Sequence, residues 1–154
     1  MIARRALVLG GGATLLAGCT SLDALFGSLD LPADVVTRKA LGQINDLRRS
    51  QGLDPVRPDR AAERAALDAA RTMARRGRME HGDFLTRVRR NGVDGGAAEN
   101  IARGQPDVET VMTVWIRSSG HRRNMLGDFS GLGVAVARNP DTDNRPYWAM
   151  VLTT

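Results

Sequence analysis

Hydrophobic and polar positions divide the chain into a long helical part and a shorter strand-forming end. Ahead of both, Ala6 to Ala17 is an apolar run diluted by Gly10, Gly11 and Gly12. It is about a dozen residues long, against the roughly 20 that a spanning helix needs, so it reads as the apolar part of an export signal and not as a membrane span. Past a stretch that Pro32 closes, Val36, Ala40, Ile44 and Leu47 recur at helical steps. They predict one buried helix face, with Asp34 as N-cap and Gly52 as stop. Asp59 caps a second helix whose stripe is Ala62, Ala66, Ala69 and Met73, with Leu67, Ala70 and Ala74 beside it. Alanine lets such a helix approach its neighbour closely, and Gly77 ends it. Asp83 to Asn91 predicts a short third helix, and Gly92, Gly95 and Gly96 an irregular loop leading into Ala98-Glu99-Asn100-Ile101-Ala102. Asp107 opens a helix with Val108, Val111, Met112 and Trp115 at i, i+3, i+4 and i+7, which Ser118-Ser119-Gly120 breaks. Gly131 to Arg138 alternates Leu132, Val134 and Val136 against Gly133, Ala135 and Ala137. Arg145 to Thr153 is a second β-run, and the turn formers of Asn139 to Asn144 make the pair a hairpin. Helices first and strands last predict an α+β fold, with helices covering a small antiparallel sheet.

The amino terminus changes the picture. Arg4 and Arg5 precede the apolar run, which ends in Leu16-Ala17-Gly18-Cys19. That ending resembles the bacterial lipobox, in which the Cys thiol receives a diacylglyceryl group and the peptide is cut just before it. The paired arginines also look like a twin-arginine export signal. The expected organisation is a lipoprotein signal at 1–18, a tether at 19–33 anchored to the membrane through Cys19, and one domain at 34–154. Thr20 lacks the Asp that often retains such proteins at the inner membrane, which favours the outer membrane and a periplasmic-side location. Cys19 is the single cysteine, so no internal disulfide can form, and once lipidated it leaves no thiol nucleophile.

Formal net charge is +5, of which Arg4 and Arg5 supply two units, and Lys39 is the only lysine. A basic balance raises nucleic acid as a partner, but export and the scatter of Arg48, Arg64, Arg75, Arg89, Arg122 and Arg138 argue against it. These arginines read as a solvated surface, with attraction to anionic envelope polymers as the second reading. A monomer is expected.

Candidate chemistry is sparse. The two histidines, His81 and His121, each fall where a helical pattern breaks, and Glu99 lies between them among apolar and amide residues. A carboxylate in such a place needs a partner. Two imidazoles and one carboxylate meet the minimum for an open zinc site, although their spacing matches no local metal motif and there is no HExxH.

Taken in order, several short motifs resemble the CAP superfamily: cysteine-rich secretory proteins, insect venom antigen 5 and plant pathogenesis-related proteins. The likeness is strongest to a bacterial branch without disulfides. The motifs are Ile44-Asn45-x-x-Arg48, Ala69 to Met73 leading to His81, and Glu99-Asn100-Ile101-Ala102. Trp115-x-x-Ser118, Gly120-His121-Arg122-x-Asn124-Met125-Leu126, Gly131 to Ala135 and Tyr147-Trp148 follow. The resemblance implies a CAP-type α-β-α sandwich with a cleft built around His81, Glu99 and His121. Ser118 stands where animal and plant members carry a second acid, which weakens a four-ligand metal site. Ala98 and Ser119 are smaller departures that touch loop rigidity. Asn100 is expected to bond backbone in a loop, Asn124 to close a turn, Trp115 to lie in the core, and one of Tyr147 and Trp148 to face it. The resemblance favours a non-catalytic envelope protein binding a lipid-like or cell-wall ligand in that cleft. The alternative is a metal-assisted hydrolase in which His81, Glu99 and His121 use zinc-bound water. A Ser118–His121 nucleophile pair is a weaker form of it, since Gly120 breaks the turn that would align the two.

Overall fold

The computed structural model describes residues 31–154; the expected signal at 1–18, Cys19 and most of the expected tether lie outside the described residues. In chain order the elements are β1 (Ala33–Val35), α1 (Thr37–Ser50), β2 (Arg57–Pro58), α2 (Arg60–Arg76), α3 (Phe84–Arg90) and β3 (Ala97–Arg103). Then come α4 (Val108–Arg117), α5 (Ser119–Met125), β4 (Gly131–Ala137) and β5 (Tyr147–Thr153). The sheet has five strands in the order β1-β4-β5-β3, with β2 also beside β4. Every pairing is antiparallel except the short β2–β4 contact, which is parallel. No helix among the described residues is long and apolar enough to cross a membrane.

The alternation read from the last two strands sorts the core. Leu132, Val134 and Val136 face one cluster with Ile44, Met112, Trp115, Met125 and Trp148. Ala135 and Ala137 face the other, with the alanines of α2, Val88 and Tyr147. Helices α1, α4 and α5 therefore cover one face and α2 and α3 the other, an α+β sandwich. Because both faces are covered, Tyr147 and Trp148 are both buried, on opposite sides, where the sequence reading expected one.

Asp59 caps α2 as read, and Asp83 and Asp107, read only as helix starts, cap α3 and α4: each of the three accepts a backbone N–H of the first turn. Gly77 ends α2 with a left-handed φ of 66°. α1 is different. Asp34 is not its cap but pairs with Val136 inside β1, and Val36 holds the cap position without a side-chain bond. β1, β2 and β3 were not anticipated. β3 falls where a loop was expected, because Ala97-Ala98-Glu99-Asn100 shows no alternation. Seven residue pairs with β5 hold it extended. The break after α4 is a single extended residue, Ser118, and Gly120 is helical within α5 instead of ending a helix.

Candidate functional site

β3 is an edge strand, so residues of both helical layers meet beyond it. Successive side chains of a strand point to opposite faces, and Glu99 and Asn100 use this to reach both layers. Toward α3, the Glu99 carboxylate is buried to 2 % exposure and both its oxygens are engaged. Oε2 accepts from His81 Nδ1 at 2.8 Å, and Oε1 accepts from Arg87 Nη2. A second nitrogen of Arg87 donates to the His81 carbonyl at 2.9 Å, so one guanidinium fixes both the acid and the loop that carries the histidine. With Nδ1 engaged by Glu99, Nε2 is the ring nitrogen left for another partner, and the His81 side chain is 57 % exposed.

Toward α5, Asn100 is fully buried. Its Nδ2 donates to the His121 carbonyl at 3.1 Å, and its Oδ1 accepts from Asn124 at 2.9 Å. Asn124 also donates to the Glu99 carbonyl at 3.1 Å. These amides tie α5 to β3 and set where His121 stands. Neither is the turn or loop residue that the sequence suggested, since Asn100 is in a strand and Asn124 in a helix. The His121 ring is partly buried, and its Nδ1 is buried with no hydrogen-bond partner among the described residues. Burial lowers the pKa of His121, and the neighbouring His81 pushes it the same way.

His81 and Glu99 are therefore in direct contact, and His121 reaches the same strand end through its backbone and feels His81 electrostatically. Ser118 sits at the α4–α5 corner; its hydroxyl makes no cap bond to α5 and, among the described residues, none to His81, Glu99 or His121. The Ser118–His121 pair thus lacks the contact it would need, though not because of Gly120. A cavity of about 740 Å³ opens elsewhere, between α1 and the start of α4, with Val36, Lys39, Val108 and Trp148 in its lining and no residue of the histidine set.

Two arginines escaped the sequence reading. Arg87 lies on the inner side of α3 beside the buried Val88; an arginine at helical spacing among Phe84 and Val88, between His81 and Glu99, was the available signal. Arg48, assigned to the solvated surface, is 3 % exposed. It donates to the carbonyls of Asp54, Met125, Gly127 and Phe129 at 2.7–3.0 Å, which closes the carboxyl end of α5. Burial lowers its pKa, opposed by Asp128 and Asp54.

The donor set does not fit zinc. The Glu99 oxygens are occupied by Arg87 and His81, and a guanidinium beside the carboxylate repels a cation. Among the described residues no group of three His, Cys, Asp or Glu side chains is gathered to hold a metal.

A family model described as CAP, the cysteine-rich secretory protein family, matches residues 41–152. A curated relative, the uncharacterized protein YkwD of Bacillus subtilis, is 31 % identical over 104 residues, 63 % of this chain; the chain spans about 40 % of that relative's length. An outer surface protein of Borrelia burgdorferi superposes with a TM-score of 0.67 at 17 % identity, covering 80 % of this chain and 98 % of that one. An extracellular protein containing a SCP domain from Bacillus anthracis gives 0.66 at 24 % identity, covering 76 % of this chain and 39 % of its own. At these identities the two structures speak to the fold alone.

Proposed function

The chain belongs to the CAP family of cysteine-rich secretory proteins, and from that premise we propose an exported, lipid-anchored envelope protein that binds a lipid-like or cell-wall compound over His81, Glu99 and His121 without turning it over. The observation that carries the binding reading is the Glu99 carboxylate, whose two oxygens hold Arg87 and His81. The acid is committed to building the site and is not available as a metal ligand. His81 with Glu99 behind it has the form of an oriented base. Yet no hydroxyl or thiol is hydrogen-bonded to its outer nitrogen among the described residues, so the described side chains offer the pair no covalent nucleophile. What remains is an exposed imidazole edge and a second, partly buried ring, suited to a polar group of an organic ligand.

Export and anchoring are supported by Arg4, Arg5, the apolar run and the ending Leu16-Ala17-Gly18-Cys19. They also agree with similar proteins that are outer-surface or extracellular in their own organisms. Thr20 after the anchor favours the outer membrane in a cell that has two.

Mass spectrometry of compounds that co-purify with the full-length lipoprotein tests the site. A compound carried by the wild type and lost from His81→Ala/His121→Ala is the expected result; equal retention in the double variant overturns the site and directs attention to the α1–α4 cavity. Tight Zn²⁺ binding in calorimetry at neutral pH, abolished by His121→Ala, would return the hydrolase reading. Release of Cys19→Ala from the membrane fraction by a high-salt wash is expected for the anchor, since two or three acyl chains hold firmly; retention overturns it.

A further inference from the structure

We propose that the outer face of α2 is laid against an anionic phospholipid bilayer. The setting rests on the reading of the chain as lipid-anchored; the test below does not. At about 100° per residue, Arg60, Arg64, Arg71 and Arg75 fall within roughly 60° of the helix circumference. The acids flanking that strip are Glu63 and Asp68, and Arg90 of α3 pairs with Asp68. Arg60, Arg64 and Arg75 are exposed, and the exposed Arg89 of α3 adds to the same layer. Beside the strip, Val35, Arg60, Glu63, Arg64 and Leu67 line a shallow depression, and Val35 is 44 % exposed. Guanidinium groups around a small apolar patch match the phosphate and acyl levels of a bilayer surface.

The point where the chain enters the fold selects a bilayer over a soluble polyanion. Leu31 and Ala33 pack against the α2 cluster, so the preceding segment reaches the domain on this layer. Cys19 stands twelve residues before Leu31, and a fully extended chain of that length spans at most about 40 Å. An anchor within that reach presents α2 to the headgroups at high effective concentration. Bilayer contact through α2 in turn leaves the edge of β3 and its histidines to be approached from the side.

The test uses residues 31–154, which carry every described element and both hydrophobic clusters; circular dichroism first checks that the fragment is folded, and its binding does not depend on Cys19. Co-sedimentation is measured with vesicles of phosphatidylglycerol and phosphatidylcholine, and with phosphatidylcholine alone. The fragment is expected to bind only the anionic vesicles, and less as salt rises. Each arginine near the surface is worth roughly fivefold in partition, so Arg60→Gln/Arg64→Gln/Arg75→Gln should lower it about a hundredfold. Arg38→Gln/Arg117→Gln/Arg123→Gln, of equal charge change on the other helical layer, should alter it less than about threefold. Equal losses in both triples would reduce the effect to diffuse net charge and overturn the proposal. So would failure of the wild-type fragment to bind anionic vesicles, including the case where it binds a soluble anionic polysaccharide through the α2 arginines. If the fragment binds as expected while full-length Cys19→Ala washes off membranes in high salt, both readings stand. If it binds and Cys19→Ala stays on, only the anchor fails.

Discussion

The two faces of the sheet are both buried, yet they are filled by opposite means. On the α2 face the helix contributes Ala62, Ala65, Ala66, Ala69, Ala70 and Ala74, and the strands answer with Gly133, Ala135, Ala137 and Ala149. Backbone comes nearly to backbone: a Cβ at Gly133 would collide with the main chain of Ala62 and Glu63. On the α1–α4–α5 face the space between helices and sheet is filled by Trp115, Trp148, Met112, Met125 and Met150. The first face holds by close approach and the second by volume. The first should therefore fail when atoms are added and the second when they are removed.

Trp115→Ala is the largest expected effect. The ring is fully buried, and its removal should cost about 4 kcal/mol in urea unfolding, since truncated core aromatics leave a cavity that collapses only in part. A loss below about 1 kcal/mol would mean that this face repacks freely. Gly133→Ala should come next, at about 3 kcal/mol, the upper part of the range for overpacking, because the obstacle is backbone and cannot rotate away. A neutral result would remove the contrast between the faces.

The edge strand, where the faces meet, sharpens it further. Arg87→Met should cost about 2 kcal/mol. Breaking a buried ion pair commonly costs more, but the half-exposed His81 still partners Glu99. Adding Glu99→Gln should recover part of the loss, because no unpaired charge then remains; a double variant less stable than Arg87→Met would show that the carboxylate is not the cause.

The smallest effect concerns pH. His121 has a lowered pKa in the folded protein, from burial and then from His81. Between that lowered value and the ordinary imidazole value of about 6.5, the unfolded chain binds more protons than the folded one. Stability is therefore full above about 6.5 and is lost as pH falls through the folded value. The melting temperature should drop on acidification, and His121→Gln should flatten that drop; an unchanged slope would assign the acid sensitivity to another group.

Local signals account for much of what was legible beforehand. Asp59, Asp83 and Asp107 are caps that act within one helical turn, and the β4–β5 hairpin follows from alternation plus a link of turn formers. Asp34 misled because the same residue that could cap a helix was drawn into a strand by β4. β3 was illegible because its extended form comes from β5, about 50 residues further along, and not from its own side chains. Of the candidate site, His81, Glu99 and His121 were named from residue type and motif. Arg87, which neutralises Glu99, was hidden among many surface arginines.

The sequence by itself determined the helix faces, three of the helix starts, the final hairpin and the family, because these rest on periodicity, on contacts a few residues apart and on motif order. It also determined that no internal disulfide exists. Only the tertiary structure decided which arginines are buried: Arg48 and Arg87 are chemically the same as Arg60 and Arg75, and their difference lies in the carbonyls and the carboxylate that folding brings to them. It also decided that Glu99 is committed on both oxygens and that Asn100 and Asn124 meet across 24 positions of chain. Such contacts depend on distance in space, and a buried polar group takes whichever partner the packed fold supplies.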